Sequence, residues 1–263
     1  MNKEKLIEKI NMLRASKEYI SNNYDPLPYL WEKINIGRIS ICESEHSIVF
    51  IENQEGFNKI IFCTKGKDYL PEINKIVRNS GGTFALHYIL KSQGNNNILK
   101  DIEDAGFKPY KTYKRMICTD AESVMQSAQT IPEPLFAESN DIITIKKIIN
   151  TTFDALTDDL ASIEELKGFI KSNQIVCLKE KKSLDGFMIF ENIGRIRYLR
   201  CLWVSDKLRG TGSGAILEKQ SMVIDASAIK RWSLWVDAGN ISAIRLHQRM
   251  GFIDEKLSDF IFT

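Results

Sequence analysis

The 263-residue chain has no apolar run long enough to cross a membrane, and its opening, Met1-Asn2-Lys3-Glu4-Lys5-Leu6-Ile7-Glu8-Lys9-Ile10, is too charged for a secretory leader. That opening reads as an amphipathic helix. Histidine is scarce: His46, His87 and His247 stand alone, with no H-x-x-x-H or H-E-x-x-H, so no metal site is expected. The five cysteines, Cys42, Cys63, Cys118, Cys177 and Cys201, form no C-x-x-C and lie mostly in apolar strand-like runs. Reduced core cysteines in a cytoplasmic protein are the expectation. Net charge is only +2 with both signs interspersed, which argues against a nucleic-acid or membrane surface. No Gly-Lys-Ser/Thr occurs after a glycine-rich stretch, which excludes a nucleoside-triphosphate loop.

Glycine is concentrated where it is most informative, in Arg209-Gly210-Thr211-Gly212-Ser213-Gly214. Upstream, Tyr198-Leu199-Arg200-Cys201-Leu202-Trp203-Val204 reads as a largely apolar strand, and Ala215 to Lys230 reads as a proline-free helix. Alternating glycines let successive N–H groups converge on an anion without a Cβ in the way, and a helix start adds partial positive charge. The segment is expected to cradle a phosphate. Gly210 to Ala215 also satisfies G-x-G-x-x-A, and Asp237 closes the strand Trp232-Ser233-Leu234-Trp235-Val236 about where a ribose-binding acid would sit. Against an NAD site, Ser205–Arg209 separate the strand from the first glycine. Too little chain follows Asp237 for a doubly wound sheet.

Past that strand, Asn240-Ile241-Ser242-Ala243-Ile244-Arg245-Leu246-His247-Gln248-Arg249-Met250-Gly251-Phe252 reads as a short helix with Asn240 as N-cap and Gly251 as left-handed stop. Arg-Gly-x-Gly-x-Gly before one helix, then Asn-x-x-Ala-x-x-Leu-His-x-x-x-Gly-Phe, resembles the acetyl-CoA-binding half of the GCN5-related N-acetyltransferase (GNAT) family. The clear resemblance covers about Leu199 to Phe252, and the segment from Leu135 can be fitted to the family's earlier elements.

The Gly-Phe ending recurs at Gly106-Phe107, again before a strand, Lys108 to Cys118. Asn95 precedes Gly106 by as much as Asn240 precedes Gly251, and Gly66 stands nearly as far before its Gly-Phe pair as Gly210 does. Between these anchors come a strand (Asn58–Cys63), a helix (Tyr69–Asn79) and a strand (Thr83–Leu90), the same order of elements. The expected fold is therefore α/β, mixed sheets flanked by helices, in two tandem GNAT-like acyl-CoA N-acyltransferase domains. Residues 1–125 form a degenerate domain, 126–134 a linker and 135–263 the acetyl-CoA-binding domain. Where the second half has its glycine cradle the first has Thr64-Lys65-Gly66-Lys67-Asp68-Tyr69, and Ile102 stands where His247 would. The first domain should bind no acetyl-CoA and catalyse nothing.

The resemblance implies direct transfer of acetyl from acetyl-CoA to an amine. It places the pyrophosphate on the amides of Arg209, Gly210, Thr211, Gly212, Ser213 and Gly214. It lays the pantetheine arm along Leu202, Trp203 and Val204, and sets Asn240 on the arm's other side. The family usually has a tyrosine at the place of His247 to protonate the departing thiolate, and histidine is a chemically reasonable acid there. Some members carry a glutamate base at the place of Tyr198, and a tyrosine is a weak base near neutrality. Glu191, Asp237 or a water chain remain candidates. Strand alternation puts Tyr198, Arg200, Leu202 and Val204 on one face, so that Arg200 could meet an acceptor carboxylate or phosphate. The acidic segment Phe153–Leu160 could greet a cationic amine.

The expected reaction partner is a small-molecule amine, with a protein amino terminus or lysine behind it. Two fused domains could replace the dimer of single-domain relatives, leaving a monomer with pseudo-dimeric halves. A non-catalytic acyl-CoA sensor and an NAD-binding enzyme are the alternatives.

Overall fold

In the strand Ser47–Gln54, the residues Ile48, Val49, Phe50 and Ile51 are all buried, so the sheet containing it is covered on both faces. The computed structural model describes residues 2–91, 97–120, 122–123, 131–158, 160–181 and 183–263. Asn95, most of the expected linker, Asp159 and Lys182 lie outside the described residues. By internal contacts the chain divides into two units. One is Met1–Thr112 with Ala155–Thr157 and Ser258–Thr263, the other Tyr113–Asp154 with Asp158–Leu257.

This division differs from the linear one expected from sequence. Strand β6 (Pro109–Cys118) pairs antiparallel with β11 (Arg231–Asp237), from Trp232↔Cys118 to Asp237↔Tyr113, which carries residues from Tyr113 onward into the second unit. The end of β12 (Ile253–Phe262) belongs to the first unit, where Lys108 and Thr263 exchange backbone hydrogen bonds of 2.8 and 2.9 Å. The two Gly-Phe strands thus finish in units other than those a cut at the linker would give.

In the first unit, β2 (Ile39–Glu43), β3 (Ser47–Gln54) and β4 (Phe57–Thr64) run antiparallel, and β4 pairs in parallel with β5 (Phe84–Lys91). Helix Lys3–Arg14 presents Leu6, Ile10 and Leu13 to one face, against Ile48, Phe50 and Ile61. Helix Leu70–Ser80 lays Leu70, Ile73 and Val77 on the other, against Val49, Ile51, Ile60 and Phe62. A short strand, β1 (Ile20–Ser21), pairs with β4 at Thr64 and Cys63.

The second unit follows the same plan. Strands β8 (Ile175–Glu180), β9 (Ser183–Ile193) and β10 (Ile196–Val204) are antiparallel neighbours, β7 (Leu135–Phe136) pairs with β8, and β10 pairs in parallel with β11. Helices Ile142–Thr152 and Ile163–Lys171 cover one face, packing Ile145, Leu166 and Phe169 on Cys177, Phe187 and Ile189. Helix Ser213–Val223 covers the other, with Leu217 and Met222 on Met188, Phe190 and Leu199. That helix is shorter than Ala215–Lys230. Arg197, wholly buried, closes its end by donating from Nη1 to the carbonyls of Ser221 (2.6 Å) and Ile224, and Asp225 then turns the chain at a left-handed φ of 49°. Burial lowers the Arg197 pKa to about 10, which leaves it a cation at neutral pH.

Candidate functional site

Parallel strands β10 and β11 pair at only three positions, the last being Tyr198↔Ser233, although β10 continues to Val204 and β11 to Asp237. Beyond that point the two strands part. Among the described residues, Cys201–Val204 therefore have no strand partner on the β11 side, where an extended ligand can hydrogen-bond as an added strand.

The glycine segment follows directly. After a short turn, Asp206–Leu208, Gly210 and Gly212 take φ of 77° and 92°, left-handed values that a side chain would strain, and a Cβ at either would meet open space. Gly212 is the N-cap of Ser213–Val223 and supplies no capping side chain. The Thr211 and Ser213 hydroxyls bond each other at 2.8 Å, and Thr211 also donates to the Leu208 carbonyl at 2.8 Å. The N–H groups of Gly210, Gly212, Ser213, Gly214 and Ala215 have no acceptor among the described residues. Five free amides at a helix start, with no Cβ over the two glycines, fit a diphosphate. Arg209 is exposed and pairs with Asp206 at 2.9 Å.

Gly214 closes the inner end of this cradle. Its α-hydrogen side faces Leu246, Leu202 and Val204, which a Cβ would meet at 3.4 to 3.8 Å. The first turn of the cradle helix, the end of β10 and helix Ile241–Arg249 thus converge. Asn240 caps that last helix, accepting from Ala243 N–H at 3.1 Å and Ser242 Oγ–H at 2.9 Å, and Gly251 ends it at φ 88°. Asp237 accepts from Gly239 N–H at 2.8 Å and shapes the turn.

His247 is buried, with its Nδ1 2.7 Å from Oε1 of Glu218 on the cradle helix and its ring edge-on to Phe252. Glu218 is fully buried, and its Oε2 has no hydrogen-bond partner among the described residues. Sequence reasoning missed Glu218. It opens the polar stretch Glu218-Lys219-Gln220-Ser221 and reads as a helix-surface residue, with nothing to mark it as a partner for a residue on another helix.

A register shift between Leu199 and Cys201 corrects the expected alternation. Leu199 faces Phe190 while Cys201 faces Ile189, so Arg200 is the extra residue of a bulge and the faces change over. Leu202 and Val204 pack with the cradle-helix core, Cys201 and Trp203 with the opposite one, where Trp203 stacks on Phe187 at 5.7 Å. Tyr198 lies opposite Glu191 on β9. Arg200 is held by Glu191 at 3.4 Å and Glu165 at 3.7 Å and lies over the Phe169 ring, so its charge is already met within the protein. In the acidic segment, Asp158 accepts from the Tyr113 hydroxyl at 2.9 Å and from Asp154 N–H at 2.8 Å.

Burial pushes the Cys118 and Cys201 thiols up and raises that of Cys177 to about 11. None of the three is a thiolate nucleophile near neutral pH. All five cysteines are free, no metal-binding cluster occurs among the described residues, and no described helix is long and apolar enough to cross a membrane.

A sequence profile of the acetyltransferase (GNAT) family matches residues 144–252, from the first helix of the second unit through the cradle to Phe252. Over those residues the chain is similar to the GNAT family. Solved structures extend the likeness to the whole chain at the level of fold. A tandem GNAT protein from the clavulanic acid biosynthesis pathway aligns with a TM-score of 0.62 at 6% identity, covering 99% of this chain and 95% of that one. A GCN5-related N-acetyltransferase from Sphaerobacter thermophilus aligns at 0.59 and 11% identity, covering 91% and 85%. Another from Kribbella flavida gives 0.54 at 10%, covering 86% and 90%. The comparison with curated proteins returns no match. The tandem GNAT fold accounts for the order of elements seen in each unit, and the family that residues 144–252 match is one of acetyltransferases.

Proposed function

We propose that the second unit is an N-acetyltransferase moving acetyl from acetyl-CoA to a primary amine on a small molecule. The observation that carries this reading is the uncapped glycine cradle, with its free amides, opening beside the parting of β10 and β11. Acetyl-CoA supplies the activated acyl group as a thioester. The amides of Gly210 to Ala215 and the Arg209 guanidinium hold its diphosphate, each helix-start contact worth about 0.3–1 kcal/mol. The unpaired edge of Leu202, Trp203 and Val204 orients the arm, and an N–H there stabilises negative charge on the thioester oxygen. Asn240 lies across the arm.

The amine nitrogen forms a bond to the carbonyl carbon, the carbon–sulfur bond breaks, and the sulfur leaves with the bonding pair. His247 protonates that sulfur, with Glu218 holding the imidazole by Nδ1. The nitrogen gives up its extra proton to solvent or to Glu191, which Arg200 orients, and Tyr198 borders that face. With the nearby thiols protonated, no acyl-enzyme step is needed.

The test is thiol release from acetyl-CoA over a panel of small amines, amino acids and peptides, at neutral pH. Amine-dependent release supports the reading, and a preference for peptides or proteins would move the acceptor class. Binding of acetyl-CoA with no release on any amine would instead support a sensor, a reading favoured by the burial of His247 against Glu218.

A further inference from the structure

In the first unit, β4 and β5 part as β10 and β11 do: they pair in parallel at three positions, ending at Ile60↔Leu86, although β4 runs on to Thr64 and β5 to Lys91. A helix follows β4 there as well, so the unit has the outline of the same groove. The groove is filled by the chain itself. Ser16 donates from Oγ to the Lys65 carbonyl at 2.6 Å. The Glu18 side chain lies against Gly66, where an added Cβ would come within 3.0 Å of its carboxylate. Gly66 is the residue that stands for the cradle in this half. Ile20 and Ser21 then pair as β1 with Thr64 and Cys63, on the edge of β4 that β3 leaves free.

Asn22, only 4% exposed, bridges the two parted strands. Its Oδ1 accepts from Phe62 N–H at 2.7 Å, and its Nδ2 donates to the carbonyls of Ile60 (2.9 Å) on β4 and His87 (3.0 Å) on β5. The Tyr24 hydroxyl then accepts from Ile89 N–H at 2.7 Å, further along β5. A carboxylate over the loop, a strand along β4 and an amide group between the strands retrace, within one unit, the path proposed above for diphosphate and pantetheine in the other.

We infer that Ser16–Tyr24 is a built-in occupant of the first unit's acyl-CoA groove, so that the chain binds acyl-CoA at the second unit alone. The inference rests on the acyl-CoA reading of the second unit. Its physical basis is that the groove's backbone donors and acceptors are already satisfied, so an incoming arm would have to displace hydrogen bonds made within one chain.

The test uses the full chain. Acetyl-CoA is titrated calorimetrically into wild type and Gly212→Asp, and amide exchange is followed at Phe62 and Ile89 with and without acetyl-CoA. The expected result is one acetyl-CoA per chain, abolished by Gly212→Asp, with slow exchange at both amides that acetyl-CoA leaves unchanged. Asn22→Ala speeds exchange at Phe62 by about ten-fold, the factor one lost hydrogen bond is worth. Two acetyl-CoA per chain, binding that survives Gly212→Asp, or fast exchange at Phe62 and Ile89 in the wild type overturns the inference. Absence of any heat in the wild type is a separate failure. It removes the acyl-CoA reading of the second unit, and the inference falls with it.

Discussion

Replacing His247 with phenylalanine is the obvious probe of its proposed role as acid, but the structure shows that this substitution does two things. It removes the imidazole, and it strands Glu218, a fully buried carboxylate whose hydrogen-bond partner is His247 Nδ1 at 2.7 Å. Breaking a buried pair by removing one partner costs about 3–5 kcal/mol, because the remaining group is left desolvated and uncompensated. Against a total stability of about 5–15 kcal/mol for a domain, that loss alone could abolish activity by unfolding. The double substitution His247→Phe with Glu218→Leu removes both polar groups and leaves apolar side chains beside Phe252. It should recover most of the loss. Urea denaturation followed by tryptophan fluorescence reads both variants, since Trp203 and Trp232 report on the second unit's two cores. A single variant within about 1 kcal/mol of wild type, with no recovery in the double, would refute the description of the pair as mutually dependent. Turnover is then compared in the double variant. A fall in kcat of about 10²-fold or more with unchanged acetyl-CoA affinity is expected of a lost acid.

Arg197→Met should destabilise the chain by about 3 kcal/mol or more in the same assay, because it leaves the closing carbonyls of the cradle helix buried without a donor. Gly212→Ala should cost about 1–2 kcal/mol through its left-handed φ, whereas Gly214→Ala, whose added Cβ meets Leu246 at 3.4 Å, should cost less. Equal costs at the two positions would contradict the backbone assignment. At Glu255, burial pushes the carboxyl up, but hydrogen bonds and charge from Arg115 and Arg231 outweigh it and hold it below the usual range. A depressed carboxyl contributes stability above its unfolded value of about 4.3 that is lost as pH falls through the folded one. Glu255→Gln should therefore flatten the acid limb of the stability profile and leave its slope near neutrality unchanged.

The glycine cradle and the strand and helix around it were legible because their signals are local. Gly210 and Gly212 need left-handed backbone, Asn240 needs a cap position, and Gly251 needs a stop; each feature depends only on its chain neighbours. What escaped notice depends on distant partners. The bulge at Arg200 has no marker in an apolar strand, since one inserted residue preserves composition while changing the face of Leu202 and Val204. Glu218 looks like a helix-surface residue until His247 is placed against it. The end of the cradle helix carries no glycine or proline, and its stop is set by Arg197 from another strand. Asn22 and Tyr24 lie in a short polar stretch whose hydrogen bonds run to β4 and β5. The cut near the linker missed the ends of the two Gly-Phe strands, because strand pairing, not chain order, decides which unit each completes.

The most direct measurement is calorimetric titration of acetyl-CoA into the wild-type chain beside Gly212→Asp, which places a side chain and a negative charge in the open space of the cradle. Saturable binding to the wild type that the substitution abolishes, while the fold remains intact by circular dichroism, is the predicted result. Equal binding by both proteins, or none by the wild type, would contradict the assignment of the cradle to acyl-CoA.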